Sequence, residues 1–208
     1  MKFARVCLVL MSLAMAACKS VPESRVGVSA IRFRDNGDVP GSAIEDKIAT
    51  QETPKFLFFF RASWQRYEDF EPEILQKDLE RIQHYYQSKG YYGTEVRAGR
   101  VLRAGKYVDV EILIRQGKPV NVRSITVNGL DGEPRRVERR AQQGLALEPG
   151  ELFDEEKLDL STKGIASELG NLGYAYGKVI PRVVIDLGPR VADITFQVTP
   201  GVPCKIGE

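Results

Sequence analysis

One histidine and three cysteines are all that 208 residues contain of the nitrogen and sulfur side chains that zinc sites and thiol chemistry use most. No CxxC or HxxxH spacing occurs. Zinc asks for several Cys or His ligands at short spacings, so no metal site is expected, and His84 reads as a surface helix residue. Cys7 lies in the N-terminal apolar stretch, which leaves Cys18 and Cys204, too few for a disulfide framework. Cys204 is then a buried strand thiol or incidental. Surplus charge of one sign is also scarce. Thirty Lys and Arg stand against 28 Asp and Glu, and residues 1–17 hold Lys2 and Arg5 with no acid, so the remainder has no formal net charge. Nothing in that balance favours nucleic acid, whose affinity rests on neutralised phosphates. A Gly-rich phosphate loop, a GxSxG elbow and a Cys/His pair for covalent catalysis are all missing, so the sequence predicts no catalytic residue, no cofactor and no enzyme.

The apolar stretch Val6 to Ala17 is shorter than the ~20 residues that span a bilayer. With Lys2 and Arg5 ahead of it and small residues behind, residues 1–17 read as a signal peptide for export. The run Leu13-Ala14-Met15-Ala16-Ala17-Cys18 resembles a bacterial lipoprotein signal, which makes Cys18 the expected lipidation site and residues 18–26 a polar tether. The alternative is ordinary cleavage after Ala14-Met15-Ala16.

What the chain does have is 43% hydrophobic residues, enough for packed cores, and an internal repeat. Gly90-Tyr91-Tyr92-Gly93-Thr94-Glu95-Val96 returns as Gly173-Tyr174-Ala175-Tyr176-Gly177-Lys178-Val179. Upstream, Phe70, Leu75 and Ile82 match Phe153, Leu158 and Ile165. Downstream, Asp109-Val110, Gly117 and Pro119 match Asp193-Ile194, Gly201 and Pro203, one residue further on. So many matches in register mean two copies of one module.

Each copy reads as strand, helix, helix, strand, strand. In the second, Val120 to Val127 is a β-branched run ended by Asn128-Gly129, and Pro134 to Gln143 is a short helix with Val137 and Ala141 on one face. Leu158, Thr162, Ile165 and Leu169 step as one face of a longer helix, as do Leu75, Leu79, Ile82 and Tyr86. Asp154-Glu155-Glu156 stands where acids complement a helix start. The closing strands alternate: Val108, Val110, Ile112 and Ile114 in one copy, Ala192, Ile194, Phe196 and Val198 in the other. Alternation implies a sheet with one face under helices and one face wet. The fold class is α+β: tandem βααββ modules, each a three-stranded mixed sheet covered on one face by two helices.

Gly90 and Gly173 fall where the second helix must stop, a place for the left-handed conformation, and Tyr91 and Tyr174 are then positioned to cover the end of the core. Both pairs read as structural. The middle strands, Thr94 to Leu102 and Lys178 to Ile185, read as sheet edges, because Pro181 cannot donate to a central ladder and Gly99 weakens pairing. An edge strand offers bare N–H and C=O groups to an extended guest. The candidate peptide-binding residues are Val96, Arg97, Ala98 and Val101 in the first copy, and Val179, Ile180, Arg182, Val183 and Val184 in the second. Arg97, Arg100, Arg103 and Arg182 either limit self-pairing or are plain solvated charges. The basic run Arg135 to Arg140 reads as a solvated helix face.

The βααββ order, the G-Y-x-x-small-x-V step and the closing strands ending in Gly117-Lys118-Pro119 and Gly201-Val202-Pro203 resemble POTRA domains, the periplasmic modules of the outer-membrane β-barrel assembly superfamily that includes BamA and TamA. The expected organisation is a module over residues 27–118, a second over 119–201, and the start of a truncated third over 202–208. Residues 51–69 depart from the pattern. There the aromatic stretch Phe56 to Phe60 reads as a loop packed under the first module, with a membrane-surface anchor as the alternative.

The resemblance implies a location on the periplasmic face of the outer membrane. It implies a scaffold or chaperone-like role in outer-membrane protein assembly or export, with unfolded β-barrel proteins or assembly-complex lipoproteins as partners. Membrane attachment would come from a lipid anchor or a C-terminal barrel missing from this sequence, since no series of eight or more ~10-residue alternating strands follows the modules. A periplasmic lipoprotein spacer that binds no client is the alternative. For a spacer, Pro substitutions at Val96 and Val183 would change nothing.

Overall fold

The computed structural model describes residues 25–52 and 68–204. The signal peptide, Cys18, most of the tether, the aromatic stretch Phe56 to Phe60 and residues 205–208 lie outside the described residues. The described residues divide into two compact units, one formed by residues 25–52, 68–82 and 96–115, the other by 83–95 and 116–204.

In the first unit the order is β1 (Gly27–Arg34), α1 (Gly41–Glu45), α2 (Pro72–Ser88), β2 (Glu95–Ala104) and β3 (Tyr107–Arg115), with α2 running on past Ile82 into the second unit. The sheet order is β1-β3-β2. β1 lies parallel to β3, from Gly27 opposite Tyr107 to Arg34 opposite Leu113, with a bulge between Val28 and Ala30. β3 is central because alternation gives it an apolar face: Val108, Val110, Ile112 and Ile114 are all buried, together with Val28, Ile31, Ile44, Leu75, Leu79 and Ile82. His84 is exposed on α2, as expected.

The second unit repeats the plan with β4 (Asn121–Asn128), α3 (Arg135–Gln143), α4 (Glu155–Asn171), β5 (Lys178–Asp186) and β6 (Val191–Thr199), in the sheet order β4-β6-β5. β4 is parallel to β6, again bulged two residues into the strand, between Val122 and Ser124. β5 runs antiparallel to β6 in unbroken register from Lys178 opposite Thr199 to Asp186 opposite Val191. Ala192, Ile194, Phe196 and Val198 face a core that includes Val137, Ala141, Phe153, Ile165 and Leu169. Asp154 caps α4, its carboxylate accepting from the Glu156 N–H at 2.8 Å. The α+β class and the two three-stranded mixed sheets are as the repeat implied.

Two expectations are corrected. Of the expected stripe of α4, Ile165 and Leu169 are buried while Leu158 and Thr162 are half-buried, and the neighbour of Thr162, Ser161, is fully buried. The cause is a close approach of α4 to the end of α3. A Cβ on Gly164 would stand 2.2 Å from the Gly144 carbonyl oxygen, and one on Gly144 would stand 2.4 Å from the Gly164 carbonyl carbon. With backbones so near, the Ser161 hydroxyl reaches the loop after α3, accepting from the Ala146 N–H at 2.9 Å and donating to the Lys157 carbonyl at 2.7 Å. The second correction concerns Cys204. It is exposed and outside any strand, so it is no buried strand thiol; its N–H donates to the Gly173 carbonyl at 2.8 Å.

Candidate edge-strand binding site

Each sheet has two outer strands, and the two are not equivalent. The start of β1 is taken by its own chain: Val28 N–H donates to the Glu68 carbonyl at 2.9 Å and Phe70 N–H to the Val26 carbonyl at 2.7 Å, an antiparallel bridge between Gly27 and Asp69. The Glu52 carboxylate accepts the Ile31 N–H at 2.7 Å. β4 repeats the arrangement, with Val122 N–H to Glu151 carbonyl at 2.8 Å, Gly150 N–H to Val122 carbonyl at 2.7 Å, and a bridge between Asn121 and Leu152. β2 and β5 occupy the other outer positions. Along β5, the described residues supply no main-chain partner except β6.

The backbone of β5 has a definite orientation. A proline keeps a ladder unbroken only where its nitrogen faces away from the partner strand, and the register runs through Pro181 opposite Phe196 without a shift. Pro181, and with it Val179, Val183 and Ile185, therefore turn their main-chain groups to the open edge. Their side chains do a different job. Val179, Val183 and Ile185 pack on the core, while Ile180, Arg182 and Val184 stand on the solvent face. Of the expected binding residues, then, Val179 and Val183 offer main chain only, and Ile180, Arg182 and Val184 offer side chains. Sequence reasoning grouped them because it did not assign β5 two faces.

On β2, Val96 is half-buried and Arg97, Ala98 and Val101 are exposed, as are Leu102 and Arg103, with Arg100 also on this strand. Gly99 lies against β3, where an added Cβ would come within 3.1 Å of the Glu111 carbonyl oxygen.

The wet face of each sheet carries an ion pair across the parallel strands to the same acid of the central strand, reached by an arginine from a different position of the outer strand in each unit. Arg32 Nη2 lies 3.1 Å from Asp109 Oδ2 in the first unit; in the second, Arg123 Nε is 2.9 Å from Asp193 Oδ1, and Ser124 Oγ donates to the same oxygen at 2.6 Å. Arg123 first, then Ser124, pulls the Asp193 carboxyl down to about 2. Asp109 and Asp193 are repeat partners, and each stands opposite the residue that follows the bulge. Exposed pairs of this kind fix strand position and contribute little stability.

Gly90 and Gly173 adopt φ of +86° and +94° at the ends of α2 and α4, and the tyrosines after them are buried. The Tyr174 hydroxyl donates to the Glu133 carboxylate, and the Tyr91 ring meets Tyr86 edge-on with centroids 6.2 Å apart. These four residues close the ends of cores. Arg135, Arg136, Arg139 and Arg140 are exposed along α3, with Arg140 paired to Glu168 at 3.3 Å. Cys18 lies outside the described residues.

One polar position escaped sequence reasoning. Asp78, fully buried on α2, accepts from the Ala49 N–H at 2.8 Å, the Thr50 N–H at 2.7 Å, the Thr50 hydroxyl at 2.5 Å and Arg81 at 2.5 Å. It stands 83 residues before Ser161, the offset of the upstream repeat matches, and does the same work: a polar side chain on the long helix holds the loop that follows the short one. The 83-residue offset pairs the two positions, but their residue types differ, so the repeat alone did not mark them.

Comparison with known proteins places this architecture. The outer membrane protein assembly factor BamA of Buchnera aphidicola is 28% identical over 131 residues, covering 62% of this chain and 21% of that protein. BamA of Neisseria meningitidis serogroup B is 19% identical over 154 residues, 69% of this chain and 18% of that one. The chain thus spans about a fifth of the length of these curated relatives. Among solved structures, the POTRA3-5 portion of Haemophilus influenzae BamA aligns at 20% identity with a TM-score of 0.49, over 88% of this chain and 70% of that one. The family profile for POTRA, the surface antigen variable number repeat, matches residues 26–117 and again 120–201. With the repeated βααββ plan and both profile matches together covering most of its length, this chain belongs to the POTRA family.

Proposed function

We propose that the chain is a periplasmic scaffold for outer-membrane protein assembly or export, non-enzymatic, which holds partner proteins and extended segments of unfolded barrel proteins by adding them as a strand to β5 and, in the first unit, to β2. The observation that carries this reading is the asymmetry of the outer strands. Own-chain segments occupy the starts of β1 and β4, while β5 turns the main-chain groups of Val179, Val183 and Ile185 toward an edge with no partner among the described residues. Strand addition draws affinity from the main chain and asks little of the guest sequence, which suits a scaffold meeting many clients. The curated relatives are named as assembly factors, and the role is carried over from them. Export by the N-terminal signal, and attachment through lipidated Cys18, complete the reading.

Amide exchange tests it directly. A ~10-residue peptide with the alternating hydrophobicity of a barrel strand is expected to slow exchange at Val183 and Ile185 and not on the helices. Val183→Pro, which removes one of those donors, is expected to weaken the peptide while leaving the circular dichroism spectrum native. Unchanged exchange along β5 and β2 at saturating peptide would leave only the spacer role.

A further inference from the structure

We infer that β5 also pairs with β5 of a second copy of this chain, antiparallel about a two-fold axis at Val184, so that each copy closes the other's bare edge. This rests on the same edge as the guest-binding reading, and the two can fail separately.

The register follows from four residues. Centring the pair on Arg182 sets arginine against arginine and puts Pro181, which has no N–H, opposite the second copy's Val183, where a donor is needed. Centring it on Val184 removes both faults. Val183 then faces the second copy's Ile185, and the reciprocal pair forms on the other side. These residues all turn their main chain outward, so each pair exchanges both of its hydrogen bonds. Arg182 falls opposite the second copy's Asp186 at both ends, which places opposite charges across the strands on the solvent face. Pro181 drops out of the ladder to meet Leu187 of the second copy's turn.

The side chains left exposed fit that arrangement. Ile180 is 64% exposed, Val184 54% and Leu187 61%, an unusual concentration of bare apolar surface on one strand and its turn. Val184 meets its own copy at the axis, and Leu187 covers the proline. Asp186 is held for the purpose, since its carboxylate accepts the Gly188 N–H at 3.1 Å. The product is a continuous sheet in the order β4-β6-β5-β5-β6-β4. β2 offers no equivalent: Arg97, Arg100 and Arg103 against Glu95 alone make it repel its own copy. The self-paired form withholds β5 from guests, so guest and second copy compete.

Sedimentation velocity of the full chain from about 5 to about 500 μM is expected to show a monomer–dimer equilibrium. Arg182→Asp or Asp186→Arg alone sets like charges opposite each other at both ends and is expected to weaken the dimer on the order of tenfold, while the double reversal restores it. A chain that stays monomeric at the highest concentration, a dimer indifferent to both single reversals, or a double reversal that fails to restore pairing overturns the inference. Peptide protection of β5 amides, measured on the monomer at the lowest concentration, separates the readings. Protection without a dimer sinks the dimer alone, and a dimer without protection sinks guest binding alone.

Discussion

Asp78, fully buried, accepts four hydrogen bonds, three of which tie the long helix to the loop after the short one. Burial by itself would push its carboxyl up, yet the Ala49 amide, the Thr50 hydroxyl and amide, and Arg81 together hold it below the ordinary carboxylate value. Removing the carboxylate leaves buried donors unsatisfied, so Asp78→Ala is expected to cost about 3 kcal/mol in urea denaturation, and Ser161→Ala at the matching position about 1 kcal/mol. Because the folded state holds the carboxyl low, the unfolded chain takes up the proton first. The stabilisation is complete above the ordinary value of 3.8 and is lost as pH falls below it, a slope that Asp78→Asn should remove. Tyr86 behaves in the opposite sense. Burial first, then the neighbouring Tyr85 and Tyr91, pushes its phenol up to about 12. Its contribution is complete below pH 10 and lost as pH rises from there toward 12, and in an absorbance titration Tyr86→Phe should delete one of the late-ionising tyrosines. Neither residue was legible as special, because Asp78 and Ser161 match in place and not in type, and Tyr86 read correctly as one more member of an apolar stripe.

Among the elements, the central strands were the most legible. A strand covered on one face writes period two into its sequence, and Val108 to Ile114 and Ala192 to Val198 are buried on the face that period assigns. The start of α4 was equally plain from Asp154-Glu155-Glu156. Its packing was not, since Gly164 looks like an ordinary weak point in a helix. In a helix interior, Gly→Ala normally gains about 1 kcal/mol. Here the added carbon would strike the Gly144 backbone, so Gly164→Ala is expected to lower stability by about 2 kcal/mol, read as an earlier urea midpoint with an unchanged slope. Of the outer strands, β2 and β5 were legible only as edges, and β1 and β4 were not legible as edges at all. Pro181 marks β5 as a place where a ladder can end, and the exposed arginines of β2 say the same, but neither reports which other segments pair alongside.

At the scale of the whole molecule, the charge balance bears on how guests are held. With no surplus charge outside residues 1–17 and affinity drawn from main-chain hydrogen bonds, peptide binding is expected to change less than about threefold between roughly 50 and 300 mM salt, measured by fluorescence anisotropy. A steep loss with salt would point to the arginines as the binding groups. The sequence by itself determined that one module occurs twice, that each copy is a three-stranded sheet under two helices, and where the long helices stop. Those properties depend on neighbours a few residues apart, so period, capping and repeat offset carry them. Only the tertiary structure decided which outer strands pair with their own chain's loops at β1 and β4, that Ser161 replaces Thr162 in the core, and that Asp78 anchors a loop. Each of these depends on groups 15 or more residues apart in the chain, such as Ser161 with Ala146, Val122 with Glu151 and Asp78 with Thr50, and no local pattern of residue types reports a hydrogen bond closed over that distance.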